Sequence, residues 1–196
     1  GSLSSLQGHE LGAIAIQEVL KRSKIKPLEI DEVIMGQVLT GGAGQNPARQ
    51  AAIKSGIPVN KTAYVVNQVC GSGLRSIASG YQAILNNDAN IVVAGGQESM
   101  TNASHAIDIS KGKKLLKSEL QDTMIYDGLW DAFYNYHMGV TAENVADKWK
   151  ISRDDQDNFA FMSQSKAQKA IQDKKFEEEI IKVEKLIQDE YPRKDV

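Results

Sequence analysis

A single cysteine, Cys70, stands in a chain of 196 residues. An intrachain disulfide framework and any cysteine-based zinc cluster are therefore excluded. The lone thiol fits a reducing, cytoplasmic compartment. Histidine is almost as scarce: His9, His105 and His137 are the only three, too scattered for a metal site. No apolar run approaches the ~18 residues that a membrane span needs, and no charged start followed by an apolar stretch marks a signal peptide. Net charge is also lacking. Lys and Arg number 23 and Asp and Glu 25, leaving −2, so no overall field attracts nucleic acid or an anionic membrane. What is present is ordinary for a globular protein, 41% hydrophobic and 24% charged. That rules out disorder as the main state.

Hydrophobic spacing organises the first half. Leu11, Ala15 and Val19 recur four apart, as do Ile16 and Leu20, and predict an amphipathic helix over residues 9–23. Val33 to Leu39 reads as a strand interrupted by Gly36. Asn46 is placed to cap a helix that begins with Pro47 and ends before Gly56. Thr62 to Asn67 is a β-branched and aromatic strand, followed by a helix from about Gly73 to Asn86. Ile91 to Gly96 is a continuous apolar run, as expected of a strand covered on both faces. Alternating helix and strand through residue 98 predicts an α/β layered fold, a mainly parallel mixed sheet with helices on both faces.

Beyond Ser99 the pattern changes. The stretch 99–185 reads as an inserted loop and helical subdomain, with 186–196 as its tail. Within it, residues 110–121 are polar and basic, with Lys111, Lys113, Lys114 and Lys117. Residues 123–139 are aromatic and Met-rich without clear period. Thr141 to Trp149 reads as a short helix. Ser152 and Asp155 resemble a capping box opening a long helix to about Asp173, with Phe159, Met162 and Ala170 inward.

The chemistry concentrates in Asn67-Gln68-Val69-Cys70-Gly71-Ser72-Gly73. A cysteine between a strand and a helix lies at the positive end of the helix dipole, which favours the thiolate. The glycines permit a sharp turn and close approach of a substrate to the backbone, and the Cys70 N–H could donate to an oxyanion. Acyl-transfer enzymes on α/β sheets use such a strand–nucleophile–helix arrangement. An inert, packed thiol is the competing reading of a lone cysteine, and geometry by itself leaves the two open.

The stretch 67–76, Asn-Gln-Val-Cys-Gly-Ser-Gly-Leu-Arg-Ser, resembles the nucleophile motif of the thiolases. Three more stretches match that family in the same order: Gly44-Gln45-Asn46-Pro47-Ala48-Arg49-Gln50, then Ala94-Gly95-Gly96-Gln97-Glu98-Ser99-Met100, then Tyr136-His137-Met138-Gly139-Val140-Thr141-Ala142-Glu143-Asn144. The resemblance implies an acyltransferase that condenses two acetyl-CoA to acetoacetyl-CoA, and reverses this by thiolysis, through an acyl group on Cys70. It implies that His137 and Met138 line the acyl and pantetheine pocket and that Leu129 lies along the pantetheine path. The Tyr-His-Met-Gly form is similar to the short-chain, acetoacetyl-CoA type more than to the long-chain degradative type; a 3-ketoacyl-CoA thiolase of β-oxidation and a non-catalytic CoA- or lipid-binding relative are the alternatives. Coenzyme A thioester enters as substrate, with no further cofactor. The expected partner is a second copy of the chain, in a homodimer or homotetramer, with neither nucleic acid nor membrane. The basic run 111–117 is either a solvated loop or, by resemblance, a cationic tetramer loop or a contact for CoA phosphates.

The same resemblance implies elements that these residues do not contain. The family carries an Asn-Glu-Ala-Phe stretch, a Gly-His-Pro histidine and a second catalytic cysteine in a similar second half, and a strand ahead of the first helix. None of these motifs occurs here, and the chain between Val183 and Asp189 is shorter than the family implies. The expectation is an N-terminal portion of a thiolase.

Overall fold

The computed structural model describes residues 1–107 and 120–188. The basic run 111–117 and the end of the tail, 189–196, lie outside the described residues. The chain divides into two compact units, Gly1–Leu129 and Trp130–Val196. The first unit thus continues past Ser99, where the change of sequence character falls. Asn102 donates to the carbonyls of Ser4 and Leu6, and Thr123 donates to the carbonyl of Ser104, tying the later segment back.

The first unit is built on a three-stranded parallel sheet. Helix α1 (Gly8–Ser23) leads through a short 3-10 turn to β1 (Glu32–Gly36), α2 (Pro47–Lys54), β2 (Thr62–Val66), α3 (Ser72–Leu85) and β3 (Val92–Gly96). The strand order is β2-β1-β3, with β1 in the centre. The register brings Gly36 level with Val66 on one side and Gly96 on the other, so all three strands end at the same height.

Local chemistry explains the boundaries. Glu10 and Gln7 form a capping box at the start of α1, and Lys24 closes the helix in the left-handed conformation. Asn46 caps α2 by accepting from the Arg49 N–H at 3.1 Å, with Pro47 at the first helical position. The side chains of the Gly44–Gln50 motif stitch the region together. Asn46 Nδ2 donates to the Ala63 carbonyl, Gln50 donates to the carbonyls of Ala43 and Gln45, and the Arg49 guanidinium bonds the carbonyls of Val59 and Lys61. This motif therefore holds α2 against β2.

The core lies on the α1/α2 face of the sheet. Val33 and Met35 of β1 pack there with Ala13, Ile16 and Leu20 of α1 and Ala48, Ala51 and Ala52 of α2. Burying a Val or Ile side chain contributes roughly 1.5–3 kcal/mol. The small residues of α2 let it approach the sheet closely. On the opposite face lie Ile34, fully buried, and Gly36, covered by α3. Helices on both faces of a parallel sheet is the architecture that the alternation of elements predicts. Coverage of β3 is less complete than its apolar sequence suggests. It pairs with β1 only, among the described residues, and Val92 to Gly95 remain half-buried.

Helix α3 is packed in an unusual sense. Its small residues Ser72, Ser76 and Gly80 are buried, while Leu74, Ile77, Tyr81, Ile84 and Leu85 are exposed. The Ser76 hydroxyl lies 2.6 Å from the Gly73 carbonyl oxygen and 2.8 Å from that of Gly95, shares its one proton between them, and so joins helix to strand. The unit ends with a small antiparallel pair, β4 (His105–Ala106) with β5 (Gln121–Asp122), and with α4 (Thr123–Gly128).

The second unit begins with a hairpin of β6 (Trp130–Asp131) and β7 (Tyr136–His137), followed by α5 (Met138–Trp149) and α6 (Arg153–Gln172). The aperiodic stretch 123–139 thus contains a short helix and a tight hairpin. Helix α5 starts at Met138, earlier than the expected Thr141, because the His137 side chain caps it. The Ser152–Asp155 capping box is present. The expected inward face of α6 is corrected: Phe159 is 72% exposed and Met162 50%, with Ala170 half-buried, and α6 buries none of its residues. Its apolar spacing asks for cover that no described element of the second unit supplies.

Candidate active site

The three strands stop together, and the loops that follow them meet at the carboxyl end of the sheet. Parallel α/β sheets bind ligands at this edge. After β1, the Val38 and Leu39 N–H groups donate to Glu98 Oε2 at 2.8 and 3.2 Å, which joins the β1 loop to the β3 loop. Beneath this clamp, Gln97 Nε2 donates to Gln37 Oε1 at 2.9 Å, a buried amide pair. Asn67, just past β2, reaches the Val38 carbonyl.

Cys70 sits in the third loop, exposed, one residue before Gly71, the N-cap of α3. The helix approaches the strand ends without intervening side chains. A Cβ on Gly36 would lie 2.4 Å from the Ser72 carbonyl carbon, and Gly96 Cα lies against Gly73. Only glycine at position 36 lets the first turn of α3 rest directly on the end of β1. Gly71 N–H donates to the Gln68 carbonyl and Ser72 N–H to the Val69 carbonyl, so the loop folds into the helix through tight turns. Cys70 thus stands just before the helix N-terminus at the end of a parallel sheet, a position where the helix dipole favours negative charge.

Leu129 is the C-cap residue of α4, half-buried, its N–H bonded to the Ile125 carbonyl at 2.9 Å. It belongs with Cys70 to the first unit. His137 and Met138 belong to the second, adjacent at the start of α5. His137 Nδ1 accepts from the Gly139 N–H at 3.0 Å. A neutral ring whose Nδ1 accepts carries its proton on Nε2, so exposed His137 can donate an Nε2–H to a carbonyl oxygen. Met138 is 37% exposed, a flexible apolar side chain beside that donor.

Sequence reasoning assigned no roles to Asn67, Ser72 and Glu98. Glu98 gathers two backbone N–H groups across a sequence gap that no local pattern encodes. Asn67 does carry a local signal, since Asn often bonds the backbone N–H two residues on.

The thiolase N-terminal domain family matches residues 1–196. The acetyl-CoA acetyltransferase of Paracoccus denitrificans is 57% identical over 183 residues, covering 93% of this chain and 47% of that protein. That of Cupriavidus necator is 53% identical over 184 residues, 93% of this chain and 47% of that protein. The cytosolic acetyl-CoA acetyltransferase of Rattus norvegicus is 48% identical over 183 residues, 93% of this chain and 46% of that protein. The chain spans about half the length of these curated relatives. With a parallel sheet flanked by helices, a cysteine at the head of α3 and a family match along its whole length, the chain belongs to the thiolase family.

Proposed function

We propose that this chain supplies the acyl-accepting half of an acetyl-CoA acetyltransferase. The observation that carries the reading is Cys70, the one thiol, exposed at the N-terminus of α3 where the parallel strands end. The Cys70 thiolate attacks the thioester carbonyl of acetyl-CoA. The tetrahedral oxyanion collapses and expels CoA thiolate, leaving acetyl-Cys70. A second acetyl-CoA loses an α-proton to a base, and its carbanion attacks the acetyl carbonyl. Acetoacetyl-CoA leaves and the Cys70 thiolate returns. In the reverse direction CoA thiolate takes the acyl group. The cysteine suits both halves because a thiolate is a good nucleophile and a good leaving group. Thiolate and acid–base chemistry suffice, with the CoA thioester as substrate and no further cofactor.

In this reading the His137 Nε2–H and the Met138 side chain line the acyl and pantetheine pocket, and Leu129 borders the pantetheine path. In this reading the base and the remaining oxyanion donors belong to the part of the relatives' length that these 196 residues do not span. The enzyme works as a homodimer or homotetramer in the cytoplasm. No helix among the described residues is long and apolar enough to cross a membrane. The test is CoA-dependent consumption of acetoacetyl-CoA by an enzyme of full family length carrying this sequence. Turnover abolished by Cys70→Ser supports the reading, because an alkoxide is far harder to generate than a thiolate. Turnover that survives the substitution refutes it.

A further inference from the structure

The residue before the nucleophile adopts a conformation that its side chain disfavours. Val69 has φ +49°, in the left-handed region where a β-branched residue is crowded against its own backbone. It is also half exposed, at 48%, so packing around its side chain does not account for the conformation. Instead, both of its peptide groups are held by neighbouring side chains. The Val69 N–H donates to Asn67 Oδ1 at 2.9 Å. The Val69 carbonyl accepts from Ser72 Oγ at 2.5 Å, and the same hydroxyl accepts from the Gln68 N–H at 2.9 Å. Ser72 is buried under the first turn of α3, so its grip is anchored in the helix. Asn67 is anchored through Nδ2 to the Val38 carbonyl, and Val38 through its N–H to Glu98. The chain of contacts runs from all three strand-end loops to the peptide that precedes Cys70.

We propose that Asn67 and Ser72 are positioning residues for Cys70, holding Val69 in the left-handed conformation so that the thiol starts α3 at the strand ends. The proposal rests on the acyl-transfer reading above. Strain of this kind persists only where the surroundings enforce it. Releasing the Val69 N–H lets the residue relax toward the extended region, and the relaxation moves Cys70 away from the helix N-terminus. Glycine at position 69 has no such preference and enters the turn without the steric cost that the clamp offsets for valine.

The experiment uses four variants of an enzyme of full family length carrying this sequence: Asn67→Ala, Asn67→Asp, Val69→Gly, and Asn67→Ala with Val69→Gly. Each is read by steady-state acyl transfer and by iodoacetamide alkylation of Cys70, followed on the Cys70 peptide by mass. Asn67→Ala lowers kcat by about 10- to 100-fold, the penalty of a misplaced reacting group, with little change in KM. It also slows alkylation of Cys70. Asn67→Asp keeps the acceptor for the Val69 N–H but loses the Nδ2 donor to the Val38 carbonyl, so it falls between Asn67→Ala and the unsubstituted enzyme. Adding Val69→Gly to Asn67→Ala restores most of both rates, which a merely destabilising loss of Asn67 would not allow. An Asn67→Ala enzyme with unchanged kcat and alkylation overturns the proposal, as does a loss that Val69→Gly fails to reverse. Absence of acyl transfer in the unsubstituted enzyme refutes the acyl-transfer reading instead. The alkylation arm then still decides the role of Asn67, because it needs no acyl substrate.

Discussion

Replacing Gly36 by alanine perturbs the site without replacing any of its functional side chains. The added Cβ would lie 2.4 Å from the Ser72 carbonyl carbon, 2.5 Å from the Gly73 nitrogen and 2.6 Å from the Ser72 carbonyl oxygen. All three are backbone atoms of the first turn of α3, so no side chain can rotate away. Restoring ordinary contact, near 3.4 Å, requires the helix start to retreat by about 1 Å. Ser76 resists the movement through its bonds to Gly73 and Gly95. Overpacking of this kind costs about 1–3 kcal/mol, and a 1 Å displacement of a reacting group can cost about 100-fold in rate. The expected outcome is a lower urea midpoint with unchanged m-value, together with a loss of Cys70 acylation larger than the stability loss explains. Gly96→Ala is the matched control. Its Cβ would meet Gly73 Cα at 3.4 Å, a contact that small shifts relieve, so its effects are smaller on both readouts. A Gly36→Ala protein with unchanged urea midpoint and acylation rate would refute the packing of α3 on β1 described above.

Three further outcomes follow from other parts of the molecule. The Asp31 carboxyl is held below the ordinary carboxylate range, first by the Asn90 and Ile91 N–H groups and then by Lys61. A lowered folded value means that its contribution is present above the unfolded value and is lost as pH falls through the folded one. Asp31→Asn therefore flattens the acid limb of a plot of Tm against pH, and an unchanged limb contradicts the assignment. His137→Ala removes the cap of α5 and costs about 0.5–2 kcal/mol, whereas His137→Asn keeps a capping oxygen and loses the Nε2–H; thermal melts and KM for acetyl-CoA separate the two roles, with KM rising in both variants and Tm falling in the first. The exposed stripe Leu74, Ile77 and Tyr81 on α3 leads to concentration-dependent association of the 196-residue chain in sedimentation, which Leu74→Lys with Ile77→Lys suppresses; a monomer at all concentrations in the unsubstituted chain contradicts this.

The elements of the first unit were legible because each is marked locally. Asn46 and Pro47 announce α2, the four-residue spacing of Leu11, Ala15 and Val19 announces α1, and the β-branched run before Asn67 announces β2. Cys70 before α3 was legible for the same reason, a strand followed at once by glycines and a helix. Helix α3 itself was only half legible. Its periodicity is strong, but the side that meets the sheet is the small one, Ser72, Ser76 and Gly80, because the first turn rests on the backbone of Gly36 and Gly96 and Gly80 lies against Val92 and Ala94. Phe159 and Met162 misled for the converse reason, since helical spacing identifies an apolar face and not what covers it. The Glu98 clamp and the Gln37–Gln97 pair were invisible, because each joins residues 60 apart in the chain whose meeting is decided by the β1–β3 register.

The proposed acyl transfer requires that Cys70 take an acyl group. The most direct measurement is the intact mass, with peptide mapping, of a full-length enzyme carrying this sequence, quenched in acid after brief incubation with acetyl-CoA. The expected result is one acetyl group, on the Cys70 peptide, absent after Cys70→Ala and removed by added CoA. An enzyme that stays unmodified, or that is acetylated elsewhere and turns over without Cys70, would contradict it.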